Sequence, residues 1–478
     1  MTHQDAERVP EAQALLNQYG YRQELSRAIG VVGNVALVVS DITPTASLLV
    51  IGPVVIATAG SGAVWAYVLG GLIAICVALC MAELGSMYPL AGGLYSIVTR
   101  VLGKPVGFLA MLDYIGQAVF LPASIAIGVG VYVGALVPAI PSNIAAAVTM
   151  MLATLVSLLR INFNSRLTAV FLTIELIVVT VLALAGITHA HQSLSILTSP
   201  VAANGHGGLA PVGIALIFTA VATAMFSVNG YDSAINFSEE TEGSAAHVGQ
   251  ALMTAALIGI VFQVIPFIAV VFGAPDLSKF VSSSTPLTDV ARAAFGDTFI
   301  NLITIGAIVA IFNASLAITL QFARITWATG RDRAWPEPIS SWIAQVEGER
   351  KIPWVATLAV GVLATILCLQ SSLVSVVTFT AVLLIVLYAL IAISALVSRV
   401  RQPRRERPFR MPFWPVPPVI ALLGTGLAIT QQKPSDLLIV AVLFVAGLVY
   451  YFGFLRPRQD RYWNMQVDAA GPGGSAAR

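Results

Sequence analysis

The chain is short of charge. Of its 478 residues only 10% are Asp, Glu, Lys or Arg, against 57% hydrophobic residues. Soluble domains carry roughly 25% charged residues, so a water-soluble enzyme and a nucleic-acid-binding module are both excluded as classes. Cysteine is scarce too. Cys76, Cys80 and Cys368 all fall inside apolar runs without metal-ligand spacing and read as small packing residues. None of the five histidines lies within an apolar run, and no nucleophile motif occurs in an ordered context. No metal, cofactor or enzymatic centre is therefore expected. Residues Met1 to Arg27 are polar and lack the apolar core of a cleavable signal, so none is expected there. The longest inner loop, about 329–352, is too short to bury a core of its own.

Long apolar runs are what the chain has in abundance. Mean hydropathy is +0.87. Segments of membrane-crossing length lie at roughly 29–56, 64–88, 106–136, 143–159, 167–187, 212–238, 248–272, 301–328, 353–369, 372–397, 416–430 and 436–455. They predict an all-α integral membrane protein with twelve transmembrane helices, the ninth and tenth separated only by Gln370 and Ser371. With the N-terminus inside, Lys279, Arg292 and Lys433 face outward, leaving 22 of the 25 basic residues on the inner side. That asymmetry obeys the positive-inside rule and predicts both termini in the cytoplasm and the chain in the cytoplasmic membrane. The Arg399–Arg410 run reads first as such an inner loop, and could also hold anionic membrane lipid. His189, His191 and His206 sit in an irregular 188–210 segment that reads as an external loop rather than a metal site.

Polar residues break two of the runs. The first is interrupted by Ser40-Asp41-Ile42-Thr43-Pro44-Thr45-Ala46-Ser47. Pro44 has no N–H, and its ring clashes with the carbonyl of Ser40, so the helix is expected to open near residues 40–46. In lipid a break survives only inside protein or beside a water-filled cavity. An intramembrane carboxylate marks a functional site by default, the plain alternative being a proline kink with Asp41 bonded to a neighbouring helix. Free amides at Thr45, Ala46 and Ser47 would suit an anion such as a carboxylate. The sixth run holds Phe226-Ser227-Val228-Asn229-Gly230-Tyr231-Asp232-Ser233, followed by Glu239-Glu240. Gly230 permits close backbone approach. Phe226 and Tyr231 could cover a ligand, with ordinary packing equally open. Interrupted helices five apart point to a midplane site between inverted repeats. The repeats would span 29–187 and 212–397, residues 416–455 would add two helices, and 1–28 and 456–478 would be cytoplasmic tails.

Asp41, Asp113, Glu175 and Asp232 have no basic partner within the runs. Each must be protonated, hydrogen-bonded, wet, or matched by a cation that substrate or coupling ion brings. This argues for cationic cargo or proton coupling. For Asp113, four residues before Gln117 on one helix face, and for Glu175, a neutral acid bonded to a backbone carbonyl is the alternative. Asn313 and Ser315 lie in the eighth run, and Glu83 is near enough to the inner end of the second to reach the interface.

Four motifs occur in order. They are Ala82-Glu83-Leu84 with Tyr88-Pro89-Leu90-Ala91-Gly92-Gly93-Leu94-Tyr95; Phe226 to Asp232 followed by Ser238-Glu239-Glu240-Thr241; Arg324 to Pro336 with Ile352-Pro353-Trp354-Val355; and Arg407-Pro408-Phe409-Arg410. Through them the chain resembles the amino acid–polyamine–organocation transporter superfamily over nearly its whole length. The resemblance implies the leucine-transporter fold, with five plus five inverted helices, two more, and a substrate at the breaks of helices 1 and 6. Most members carry a Gly-Ser-Gly-type turn where this chain has Pro44-Thr45-Ala46. Thr43-Pro44 and Leu112-Asp113-Tyr114 look more like the putrescine-importer branch. In some members a helix 5 lysine stands in for a sodium ion, and the matching position here is Glu175, a proton-titratable acid.

Together these readings describe a secondary active transporter importing an amino acid or small organic amine by alternating access, with proton coupling. Substrate contacts are expected from Asp41, Thr43, Thr45, Ala46, Ser47, Asp113, Phe226, Asn229, Gly230 and Tyr231, and coupling from Glu175, Asp232 and Ser315. The alternative within transport is a sodium-coupled carrier or exchanger with its ion near Asn313 and Ser315. From another class, a non-transporting sensor or scaffold of the same fold remains open.

Overall fold

A backbone in hydrocarbon has no water to bond, so apolar runs close their own hydrogen bonds as helices. The computed structural model describes residues 16–17, 19–204, 208–242 and 245–465, and each apolar run lies on helix. His206 and the outer parts of both tails fall outside the described residues. The first run forms α1 (Val31–Ile42) and α2 (residues 44–59, with a π-helical turn at Ser47–Ile51). Next come α3 (Ala63–Met87), α4 (Gly93–Leu102), α5 (Lys104–Leu136), α6 (Ser142–Ser157), α7 (Ile161–Thr188) and the short α8 (Ser195–Thr198). The sixth run yields α9 (Ile214–Ser227) and the single turn α10 (Ser233–Asn236). The chain continues through α11 (Ala245–Phe272), α12 (Leu277–Ser282), α13 (Pro286–Phe295), α14 (Asp297–Arg331), α15 (Ile339–Ile343), α16 (Trp354–Gln370), α17 (Leu373–Arg401), α18 (Val416–Thr430) and α19 (Pro434–Tyr450). Among the described residues seven helical stretches are long and apolar enough to cross a membrane, and α4, α6, α9, α16 and α18 are shorter apolar helices.

The expectation of an all-α chain needs one correction. Val201–Ala203 and Leu209–Pro211 pair as a two-stranded antiparallel ribbon between α8 and α9. Three-residue strands are too short to show a two-residue period in sequence. The ribbon lies on Gly60 so closely that a Cβ there would stand 2.1 Å from the Val201 carbonyl.

The interrupted helix sits at the centre. α1 packs against α7, α10, α11 and α14, and α2 against α7, α9 and α14. α5 runs along α14 and α17 and touches α2, where the Tyr132 hydroxyl donates to the Leu49 carbonyl at 2.7 Å. α19 packs on α5 and leaves Leu438, Val442, Val445 and Val449 exposed along one stripe. An outward apolar stripe of that kind suits a lipid surround.

Basic and acidic side chains are knitted together at one end. The Glu83 carboxylate is fully buried within the protein. It accepts from Arg399 at 2.7 and 2.5 Å, from Arg407 at 3.0 Å and from the Met411 amide at 2.8 Å. The end of α17 and the segment after it fold over the carboxylate, a long-range contact that local pattern does not carry. Arg324, one of the 22 basic residues expected on the inner side, is buried inside α14 and paired with Glu240. Arg331 pairs with Glu239 at 2.9 Å. Asp332 accepts from Tyr21 and Tyr95, each at 2.7 Å. Burial, and then the Asp332 charge, push the Tyr21 hydroxyl well above its usual range, so it stays a donor. The entering chain is tied to the same cluster. The Ala28 and Ile29 amides bond the Glu240 carbonyl at 3.0 and 2.9 Å, and the Glu242 amide bonds the Ile29 carbonyl at 2.9 Å.

Removing one member of a buried ion pair costs about 3–5 kcal/mol because the other charge is left without a partner. Glu83→Ala strands two guanidinium groups. A marked drop in melting temperature of the detergent-purified protein is expected, whereas a wild-type melt would mean that water reaches Arg399 and Arg407.

Candidate functional site

Thr43 is where the first run stops being helix. Its φ and ψ of 51° and 61° are left-handed. A residue before proline is pushed out of the right-handed helical region, and Pro44 in the first turn of α2 loses nothing by lacking an N–H. α1 therefore stays helical through Ser40, Asp41 and Ile42, and the opening expected over residues 40–46 contracts to one residue.

The carbonyls of Ser40, Asp41 and Ile42 lose their donors four residues on. Pro44 has none to give. The Thr45 amide goes to Glu175 Oε1 on α7 at 3.1 Å, and the Ala46 amide faces the same carboxylate. Regular bonding resumes at the Ser47 amide, 2.8 Å from the Thr43 carbonyl. Thr45 Oγ1 also donates to the Glu175 carbonyl at 2.5 Å, and Asn313 Nδ2 on α14 holds Glu175 Oε2 at 3.2 Å. The amides of Thr45, Ala46 and Ser47, expected to be free, are thus engaged inside the chain. An unpaired amide is costly when buried, and α7 passes close enough to supply a carboxylate. On the other side of the break, Ser47 Oγ and Gln263 Nε2 on α11 donate to the Ile42 carbonyl at 3.2 and 3.3 Å. Gln263 Oε1 accepts from Ser227 at 2.9 Å. Thr43 Oγ1 and Ser47 Oγ are 2.9 Å apart.

The second interruption meets the first directly. α9 ends at Ser227, and Gly230 adopts φ +117°. A Cβ on Gly230 would stand 2.6 Å from both Asp41 C and Ile42 N, so the two breaks touch backbone to backbone. Asn229 Oδ1 accepts from Tyr388 on α17 at 2.5 Å. Tyr231 donates to the Ala74 carbonyl at 3.4 Å, its ring 6.2 Å from that of Tyr388. Phe226, at the end of α9, is buried. Asp232 Oδ2 accepts from Gln321 Nε2 at 2.9 Å and from the Tyr114 hydroxyl, which itself accepts from Asn236 Nδ2 at 2.9 Å.

The carboxylates at this junction have no basic partner among the described residues. Asp41 is 4% exposed and no basic group meets its carboxylate; the nearest donor is the Ser233 hydroxyl, which is directed to the Gly230 carbonyl at 2.6 Å and leaves both Asp41 oxygens unbonded, as is Asp232 Oδ1. Gly230, which meets the Asp41–Ile42 peptide, lies two residues before Asp232. Among the described residues no salt bridge includes Asp41, Asp113, Glu175 or Asp232. The carboxyl end of the α1 macrodipole adds to the same negative potential. Such a place can hold a cation or a proton. Two expected residues stand apart. Asp113 accepts from Gln117 at 2.9 Å, with Oδ1 unpartnered, and Ser315 turns its hydroxyl back onto the Ile311 carbonyl at 2.8 Å. From these helices it is Tyr114 and Asn313, their near neighbours, that reach the junction.

The amino acid permease family matches residues 28–463 of the sequence. The chain belongs to the amino acid permease family. The permease is a multi-pass membrane protein of the amino acid–polyamine–organocation superfamily, and its relatives are carriers rather than enzymes. It is 28% identical over 359 residues to an uncharacterised transporter of Mycobacterium tuberculosis, covering 75% of this chain and 77% of that one. It is 24% identical over 427 residues to the branched-chain amino acid permease BcaP of Bacillus subtilis, covering 84% and 87%. To the low-affinity putrescine importer PlaP of Escherichia coli it is 22% identical over 306 residues, covering 63% and 65%. These names take in both an amino acid and a diamine.

Several residues that complete the site in the permease went unremarked in the sequence. Gln263, Gln321, Asn236 and Tyr388 are single polar groups in apolar runs. Their one signal was that an amide or hydroxyl buried at that depth needs a partner.

Gly230→Ala tests the contact between the breaks. A methyl group there meets backbone at 2.6 Å and must adopt a positive φ. The variant is expected to fold less stably and to lose substrate-dependent stabilisation in a thermal-shift assay; an unchanged response would mean that the breaks separate freely.

Proposed function

We propose that the permease is a secondary active transporter that imports an amino acid or small organic amine by alternating access. In this reading it crosses the membrane twelve times with both termini inside, as inverted repeats 29–187 and 212–397 followed by two helices at 416–455. The observation that carries the proposal is the contact of two helix interruptions at Gly230, flanked by Asp41 and Asp232 with unpartnered buried oxygens. Asp41 receives the substrate ammonium, with Asp232 beside it. Phe226, Asn229 and Tyr231 shape the wall, and Thr43 with Ser47 steadies the turn. Glu175 and Asp232 carry the coupling proton, since each is buried without a basic partner and joins elements that must part for the site to open. A sodium-driven reading has one observation in its favour. Asn313 Oδ1 is buried without a donor, on the side chain that holds Glu175 Oε2, and paired oxygens suit a hard cation.

Purified protein in liposomes decides between these readings. Counterflow is measured with neutral amino acids, basic amino acids, polyamines and monoamines, and uptake is then driven by a proton or a sodium gradient imposed separately. A proton gradient alone is expected to drive accumulation; accumulation on sodium alone would replace that coupling, and no exchange of any of these substrates would remove the transport reading. Asp41→Asn is expected to weaken cationic substrates by at least about tenfold, because a buried charge partner is worth several kcal/mol. Glu175→Gln is expected to lower the proton-driven accumulation ratio, and full accumulation would discharge Glu175 from coupling.

A further inference from the structure

We infer, on the basis of the transport reading above, that Glu175 fills the anion seat of the interrupted helix and so makes the permease selective for amines that lack a carboxylate. An interrupted helix offers two electrostatic ends. The amide end, at the start of residues 44–59, is positive and favours an anion; the carbonyl end, at Ile42, is negative and favours a cation. Here the positive end is already taken. Glu175 Oε1 accepts from the Thr45 amide at 3.1 Å with the Ala46 amide beside it, and the Ser47 amide bonds Thr43. This carboxylate is fixed from two further directions, by Thr45 Oγ1 on its own backbone carbonyl at 2.5 Å and by Asn313 Nδ2 on Oε2 at 3.2 Å. It is fully buried, so an incoming carboxylate would have to displace it or lie against it.

At the negative end the Ile42 carbonyl is taken by Ser47 and Gln263, and the carboxylates beside it are what is left open. Both oxygens of Asp41 and Oδ1 of Asp232 are buried without partners, and no salt bridge among the described residues neutralises either group. An ammonium group answers that deficit. An α-amino acid brings the ammonium and also a second anion into a region that already holds three carboxylates and no base. The carboxylate would go unpaired, and a site rejects a ligand whose polar groups it leaves unpaired. Glu175 is therefore a specificity determinant as well as a structural plug. It supplies from within the chain the carboxylate that a zwitterionic substrate would otherwise bring.

The test compares matched pairs, each an amine and the α-amino acid that differs from it by one carboxylate: cadaverine and lysine, agmatine and arginine, isobutylamine and valine. Binding to the full-length detergent-purified protein is followed by ligand-induced thermal shift and by counterflow. The wild type is expected to bind the amine of the productive pair at least about tenfold more tightly than the acid. Glu175→Ala opens the seat, and the ratio of the two constants is expected to fall by about the same factor. Glu175→Gln keeps the side chain's size and removes its charge, and should lower the ratio in the same direction if the alanine variant does not fold. A wild type that prefers the amino acid overturns the inference while the transport reading stands. So does a ratio that stays put while both constants change together, since that is the mark of a purely structural glutamate. Failure of every amine and every amino acid to bind or exchange overturns the transport reading, and the inference with it.

Discussion

At this depth no peptide group can turn to water, and the centre of the permease is built around that constraint. One left-handed residue, Thr43, deprives three carbonyls and two amides of helical partners. The protein answers with groups from two other helices and from the second break. α7 brings Glu175 to the amides, α11 brings Gln263 to the Ile42 carbonyl, and the break after α9 brings Gly230 against the Asp41–Ile42 peptide. Each of these contacts fixes a helix relative to α1. Partners from α7 and α11 thus reach three of those five peptide groups, the Ile42 carbonyl and the Thr45 and Ala46 amides, and the site lies beside them.

Charge is distributed by the same logic. Four arginines that enter the protein interior do so at one end and beside an acid: Arg324 with Glu240, Arg331 with Glu239, and Arg399 and Arg407 with Glu83. Aromatic rings lie under several of them, Arg331 being 4.1 Å from the Tyr21 ring centroid and 4.5 Å from that of Trp327. The carboxylates at the junction have no such company. Taking a charge from water to low dielectric without a partner is costly, so an uncompensated pair such as Asp41 and Asp232 is out of place in a merely structural core.

The parts that were legible in the sequence are those governed by local sterics and periodicity. Proline 44 announced the break because its ring acts on the residues next to it, and Gly230 announced a close approach because only its missing Cβ allows one. The apolar runs matched helices because bilayer length and helical rise fix each other. The identity of each partner was hidden. Nothing near Glu175 indicates that it faces Thr45, 130 positions away, and nothing near Glu83 foretells Arg399 and Arg407, which lie 316 and 324 positions on. Sequence reasoning found the acids and left the amides empty; the fold puts the two together. Asp113 and Ser315 show the converse, polar residues on the right helices whose side chains bond locally.

The backbone pairing at the entry to α1 has a mechanical side. Ile29 is bonded to Glu240 and Glu242, and Asn34 Nδ2 holds Thr241 Oγ1 at 2.9 Å. At the other end of α1, Asp41 is wedged against Gly230. Residues 29–42 and 230–242 are therefore pinned to each other at two points about 18 Å apart, the length of a twelve-residue helix. Two pins define an axis. α1 cannot tilt without carrying the 230–242 segment, and α10, a single turn, is too short to bend independently. The Arg324–Glu240 pair ties the first of these pins to α14, while Gly230 alone makes the second.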